Sequence, residues 1–84
     1  MNIKYTKESV KNLGKMESSA RQRIHRAIQG LTNQPPEGDI KRLQGYADGR
    51  YRLRVGKNRI VYRFSEDRST LYIMDIDSRG DIYK

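Results

Sequence analysis

Residues 49–64, GRYRLRVGKNRIVYRF, hold five arginines and one lysine, yet they read as two β-strands. In the first, Tyr51, Leu53 and Val55 alternate with Arg52 and Arg54; in the second, Ile60, Tyr62 and Phe64 alternate with Arg59, Val61 and Arg63. Period-two alternation puts the two sets on opposite faces of a strand. A two-residue turn at Gly56-Lys57 sets Val55 opposite Asn58, Leu53 opposite Ile60 and Tyr51 opposite Tyr62, so the apolar residues share a face. A slip of one residue would mix the faces. The same register sets Arg54 opposite Arg59 and Arg50 opposite Arg63. Like charges directly across a ladder cost up to ~1 kcal/mol per pair, so folding alone does not select them. Charged outer faces are ordinary, and basic strands also discourage edge-to-edge aggregation. The single sign of the charge, and the choice of arginine with its phosphate-shaped fork, point instead to an anion-binding face.

Outward from this hairpin, the sequence supplies the rest of an α+β domain. Residues 2–5, NIKY, alternate as a short strand, and Thr6 is placed to cap the helical TKESVKNLGK, which Gly14 ends. A second helix is expected from Glu17 to Leu31, where Ala20, Ile24, Ala27, Ile28 and Leu31 form one apolar stripe beside Arg21, Gln22, Arg23 and Arg26. TNQPPEGD follows as a loop, since its prolines and glycine cannot continue a helix. IKRLQGYADG leads into the hairpin, with Leu43 as its inward anchor and Gly45 and Gly49 as bends. The last strand, TLYIMDI, is apolar on both faces except at Asp75, the pattern of a central or doubly covered strand. The predicted architecture is a short N-terminal strand, two helices and a three-stranded antiparallel meander, with both helices on one face of the sheet and the other face open.

Composition narrows the function. Eighty-four residues with 35% apolar content fit a single domain over 1–84 that buries about 60% of the surface its unfolded chain exposes. The net charge of +8 favours a polyanionic partner, either nucleic acid or an acidic protein. No cysteine is present, which removes disulfides, thiolate catalysis and CxxC zinc sites. No apolar run is long enough to span a bilayer, and MNIKYTKESV lacks a signal-type apolar stretch, so a cytoplasmic protein without membrane association is expected.

The segment KRLQG, then YRLRVGKNRIVYRF, then a strand ending DIDSRGDIYK together resemble the RelE/ParE toxin superfamily. The resemblance runs from NIKYTKESV to the last residue and is strongest from Ile40 to Lys84. It implies the toxin of a type II toxin–antitoxin system: a ribosome-dependent endoribonuclease that cuts messenger RNA in the A site and is held inactive by a cognate antitoxin. The alternative it implies is a ParE-like toxin that inhibits DNA gyrase and cuts nothing. Position by position, Arg52, Arg54 and Arg59 match the basic groups on the open sheet face, Arg79 a basic residue after the last strand, and Tyr83 the aromatic near the C-terminus. Arg50, Lys57 and Arg63 are the expected RNA-binding cations around them.

The implied chemistry, attack of a ribose 2′-OH on the adjacent phosphate, needs a deprotonated nucleophile, stabilised phosphorane charge and a protonated leaving oxygen. It requires neither metal nor cofactor. Arginines meet the second need, whereas a guanidinium, which holds its proton far above neutral pH, makes a poor base. RelE has lysines where this chain has Arg52 and Arg54, and many relatives have histidine where it has Ser78. The only histidine, His25, lies on the second helix beside the apolar stripe, a helix-surface or packing position. Asp75, Asp77 and Asp81 are placed either to act as bases or to hold Arg59 and Arg79 through salt bridges. Tyr83 is placed to stack on a base, to orient RNA or to pack, and Tyr46, Tyr51, Tyr62 and Tyr72 are assigned to the core or its edge.

Overall fold

The hairpin forms in the expected register: β3 (Tyr51–Val55) and β4 (Asn58–Phe64) pair antiparallel, with Tyr51 opposite Tyr62, Leu53 opposite Ile60 and Arg54 opposite Arg59. The computed structural model of the chain describes residues 1–78. Around the hairpin run β1 (Asn2–Tyr5), α1 (Lys7–Gly14), α2 (Ser18–Gly30), β2 (Asp39–Arg42) and β5 (Thr70–Asp77). The strands form one sheet in the order β1-β5-β4-β3-β2. The meander is antiparallel as expected, but the sheet is mixed, because β1 lies parallel to β5. Helix α2 and its C-cap bring Ile24, Ile28 and Leu31 onto Leu53, Ile60, Tyr62, Leu71, Ile73 and Ile76, and all nine side chains are buried. Each buried aliphatic of this size contributes on the order of 2 kcal/mol, so this one face carries most of the fold's stability.

A strand that the sequence did not announce, β2, extends the sheet beyond β3, pairing Ile40 with Leu53 and Lys41 with Arg52. Four residues patterned DIKR offer a single apolar position, too short a run to show a period. Ile40, packed against the core, is the inward anchor of this segment; Leu43 is only half-buried beyond it.

Strand β5 owes its pattern to a bulge. Tyr62 faces Ile73 whereas Val61 faces Asp75, leaving Met74 as an extra residue on β5. Leu71 and Ile73 point into the core at the ordinary spacing of two, and Ile76 follows at three. In an unbroken register Asp75 would face the core opposite Ile60; the bulge turns Asp75 and Asp77 to the open face.

The start of α1 braces the bulge. The Thr6 hydroxyl donates to Met74 O at 2.9 Å and accepts from the Ser9 N–H at 3.1 Å, so one side chain caps the helix and satisfies the bulged carbonyl. The Thr6 N–H donates to Ile73 O at 3.1 Å. Buried Ser9 donates its hydroxyl to Thr6 O at 2.8 Å, with Ile73 O at 3.4 Å. At the opposite end of β5, Asp67 organises the turn from β4. It accepts from the Ser69 N–H at 3.0 Å and from the Ser69 and Ser65 hydroxyls at 2.8 Å, which hold its carboxyl down at about 2.

Thr6→Val should lower the unfolding free energy by about 1–3 kcal/mol, combining a lost cap with an unsatisfied carbonyl. Glu17, whose side chain makes no capping bond at the start of α2, should cost under about 1 kcal/mol as Glu17→Ala. Urea titration of both variants measures the contrast. Because the Asp67 pKa is depressed on folding, its contribution is present above the ordinary value of 3.8 and is lost as the pH falls toward about 2. Urea midpoints between those pH values should therefore drop more steeply in the parent chain than in Asp67→Asn.

Candidate nucleic-acid interface

The sheet face opposite the helices carries its charges in register rows. One row runs Asp39, Arg54, Arg59, Asp77, and the next Lys41, Arg52, Val61, Asp75. The opposed pair Arg54 and Arg59 is thus bracketed by a carboxylate at each end of its row. Arg59 Nη2 lies 4.0 Å from Asp77 Oδ2, as expected of a carboxylate that holds it in place. Arg52 Nη1 lies 3.5 Å from Asp39 Oδ1 and donates to Asp39 O at 3.3 Å. A surface ion pair contributes about 0.2–1 kcal/mol, comparable to the cost of the opposed like charges, so the arrangement is close to neutral for stability.

The three arginines are presented differently. Arg52 is the most covered, with its side chain 14% exposed, and Arg59 follows at 25%. Arg54 is exposed, and among the described residues no carboxylate lies within ion-pair distance of it. It is therefore the cation of the central row most available to an incoming anion. Lys57 projects from the turn at the end of the hairpin.

At the other end of the face, the bare Arg50–Arg63 opposition expected from the register is absent, because Asp48 stands between the two. Arg50 Nε donates to both Asp48 oxygens at 3.0 and 3.1 Å, and Arg63 Nε lies 3.7 Å from Asp48 Oδ2. Each guanidinium also covers a ring: Arg63 over Tyr72 at 4.4 Å and Arg50 over Tyr46 at 4.6 Å. Tyr72 thus belongs to the open face and Tyr46 is 48% exposed, which corrects their assignment to the core or its edge. Tyr51 and Tyr62 do sit on the core side, stacked at 5.6 Å, and burial pushes the Tyr62 hydroxyl up to about 12.

The structure therefore brings Arg52, Arg54 and Arg59 together toward the turn end of the hairpin, and Arg50 with Arg63 toward the other end. Arg79, Asp81 and Tyr83 lie outside the described residues. His25 is exposed on α2, in the layer behind the sheet, and does not join the face. Among the described residues no three His, Cys, Asp or Glu side chains are grouped to hold a metal ion. Sequence reasoning missed Asp39, Asp48 and the placement of Tyr72; the signal for Tyr72 was its position between Leu71 and Ile73, both inward-facing.

The model of ParE toxins of type II toxin–antitoxin systems matches residues 3–83. The chain belongs to that family, within the RelE/ParE superfamily. No curated protein sequence matches it. Among solved structures, the RelE–RelB complex from Pyrococcus horikoshii is similar at 26% identity, with a TM-score of 0.77 over 94% of each chain. The RelB–RelE complex from Methanococcus jannaschii is 30% identical, with a TM-score of 0.74 over 95% of this chain and 94% of that one. A YoeB/ParE toxin from Agrobacterium tumefaciens, 21% identical, shares the fold with a TM-score of 0.77 over 90% and 95%. The α+β fold is the RelE-like one, and no described helix is long and apolar enough to cross a membrane.

If Arg52, Arg54 and Arg59 form an RNA site, binding should fall steeply with salt, because each phosphate neutralised on a single strand contributes about −0.7 to the slope of log K against log salt. Arg54→Glu combined with Arg59→Glu should abolish ribosome or RNA binding in a folded protein. Unchanged affinity and slope in that variant would remove the site from this face.

Proposed function

We propose that this toxin is a ribosome-dependent endoribonuclease that cuts messenger RNA in the A site by metal-independent attack of the 2′-OH on the adjacent phosphate. The observation that carries the reading is the open face itself, with Arg54 directly opposite Arg59, Arg52 two residues along, and carboxylates fixing Arg52 and Arg59 from the row ends. Two guanidiniums held by carboxylates and a third exposed between them suit the trigonal-bipyramidal phosphorane, whose equatorial oxygens gain charge as the bond forms. Removing one such donor in comparable sites costs ~10²–10³ in rate. The three act by orientation and charge stabilisation. Arg79 is assigned to the scissile phosphate or the leaving 5′ oxygen, and Tyr83 to stacking on a base or to proton transfer. The proposed partner in the cell is a cognate antitoxin that neutralises the basic face; the Pyrococcus relative is solved as a RelE–RelB complex and the Methanococcus one as an antitoxin–toxin complex.

The family match to ParE toxins favours a second reading, a gyrase inhibitor built on the same scaffold. Primer extension on a translated message after expression of the chain separates the two. Cuts at defined positions within codons support the nuclease; intact message together with inhibited supercoiling by gyrase overturns it. On programmed ribosomes, Arg79→Ala should lower the single-turnover rate by at least ~10², about 2.7 kcal/mol, with affinity nearly kept. Tyr83→Phe should retain most activity where stacking is the role and lose it where the hydroxyl moves a proton. Wild-type rates in both Arg79→Ala and Tyr83→Ala would withdraw the catalytic assignment of these two residues. Growth arrest by the chain alone, relieved by the neighbouring small reading frame, tests the antitoxin partner.

A further inference from the structure

The cluster at the far end of the open face is built differently from the arginines assigned to cleavage. Asp48 is shared by two guanidiniums, Arg50 at 3.0 Å and Arg63 at 3.7 Å, and each guanidinium is backed by a tyrosine ring. A ring behind a guanidinium holds its plane and leaves the donor edges free, the presentation that suits two oxygens of one anion. Here the two edges converge on the carboxylate of Asp48, with the same charge sign and oxygen-acceptor geometry that a phosphate would bring. Lys4, in register with Tyr72 on β1, continues the cationic row beyond the ring.

The segment that carries Asp48 is suited to let go. Gly45 and Gly49 flank it with φ of +84° and +71°, and neither has a heavy atom within 4 Å of where a side chain would stand. Moving Asp48 therefore breaks two surface ion pairs and little packing. Along β4, Arg63 lies four residues from Arg59, about 13 Å at ~3.3 Å per residue and on the same face, so one extended strand of RNA reaches both clusters.

We propose that Arg50 and Arg63, backed by Tyr46 and Tyr72, form a second phosphate subsite for single-stranded RNA, and that Asp48 occupies it as an internal phosphate mimic until the strand displaces it. The inference rests on the reading of this face as an RNA site and adds to it a position upstream or downstream of the cleaved bond. Asp48 thereby tunes affinity: it keeps the two arginines aligned in the free protein and competes with the ligand for them.

The test is fluorescence anisotropy of the full chain with a labelled oligouridylate of about ten nucleotides, read at several salt concentrations. Asp48→Ala should bind about fivefold tighter, the most a surface ion pair is worth, and its salt slope should steepen by about 0.7 for one further phosphate neutralised. Asp48→Asn, which keeps the shape, should tighten binding in the same direction. Arg63→Gln should weaken binding, and in that background Asp48→Ala should give no increase. Tyr72→Phe should behave as the parent, whereas Tyr72→Leu should weaken binding with the urea midpoint kept near the parent's. Unchanged or weaker RNA binding in Asp48→Ala, with Arg54→Glu and Arg59→Glu still abolishing it, overturns the subsite and leaves the RNA face standing. Indifference of RNA binding to both sets of substitutions overturns both readings. Tighter binding of a polyglutamate peptide without any increase for RNA assigns the cluster to an acidic protein and also overturns the subsite.

Discussion

The extra residue in β5 sets what the open face can be. Without Met74 bulged out, Asp75 would enter the core opposite Ile60, where an unpaired carboxylate costs several kcal/mol, and Ile76 would turn to solvent. With it, the strand buries Leu71, Ile73 and Ile76 on one side and delivers Asp75 and Asp77 to the other. A bulge leaves backbone groups outside the ladder, and one threonine hydroxyl meets that need while starting a helix. The electrostatics of the basic face thus depend on a hydrogen bond made behind the sheet.

The face then balances two demands. Arginine clusters repel themselves, and the carboxylates Asp39, Asp48 and Asp77 offset that repulsion without filling the face. Rather than neutralising every cation, they leave Arg54 exposed between its neighbours. For the proposed phosphate chemistry this choice has a clear direction. Guanidiniums that never lose their proton stabilise developing charge at any physiological pH, and they do so best when their planes are fixed beforehand.

Much of this was legible in the residues. The hairpin register followed from the alternation of Tyr51, Leu53 and Val55 against Ile60, Tyr62 and Phe64 together with a two-residue turn. The cap of α1 followed from Thr6, and the extent of α2 from the Ile24, Ile28 and Leu31 spacing. The carboxylate pairing of Arg59 was also readable. What escaped were features fixed by long-range geometry. β2 has too few residues to show a period, and its pairing is decided by β3. The bulge hid inside a strand that looked apolar on both faces, although an aspartate at position 75 of an otherwise inward pattern was its trace. Asp48 reaches Arg63 only because the connection before β3 turns back over the face, which no local signal encodes.

The parallel pairing of β1 with β5 carries a consequence for how the molecule comes into being. Asn2 donates to Ser69 O, and Thr6 reaches Met74 across 68 residues of chain. During synthesis β1 has no strand partner until β5 has been made, and pairings of such separation form late and slowly. The hairpin and α2 are able to assemble earlier, but the row of carboxylates on β5 aligns with the arginines only once the last strand has docked. For a toxin, this topology delays completion of the basic face until β5 has been made and has docked.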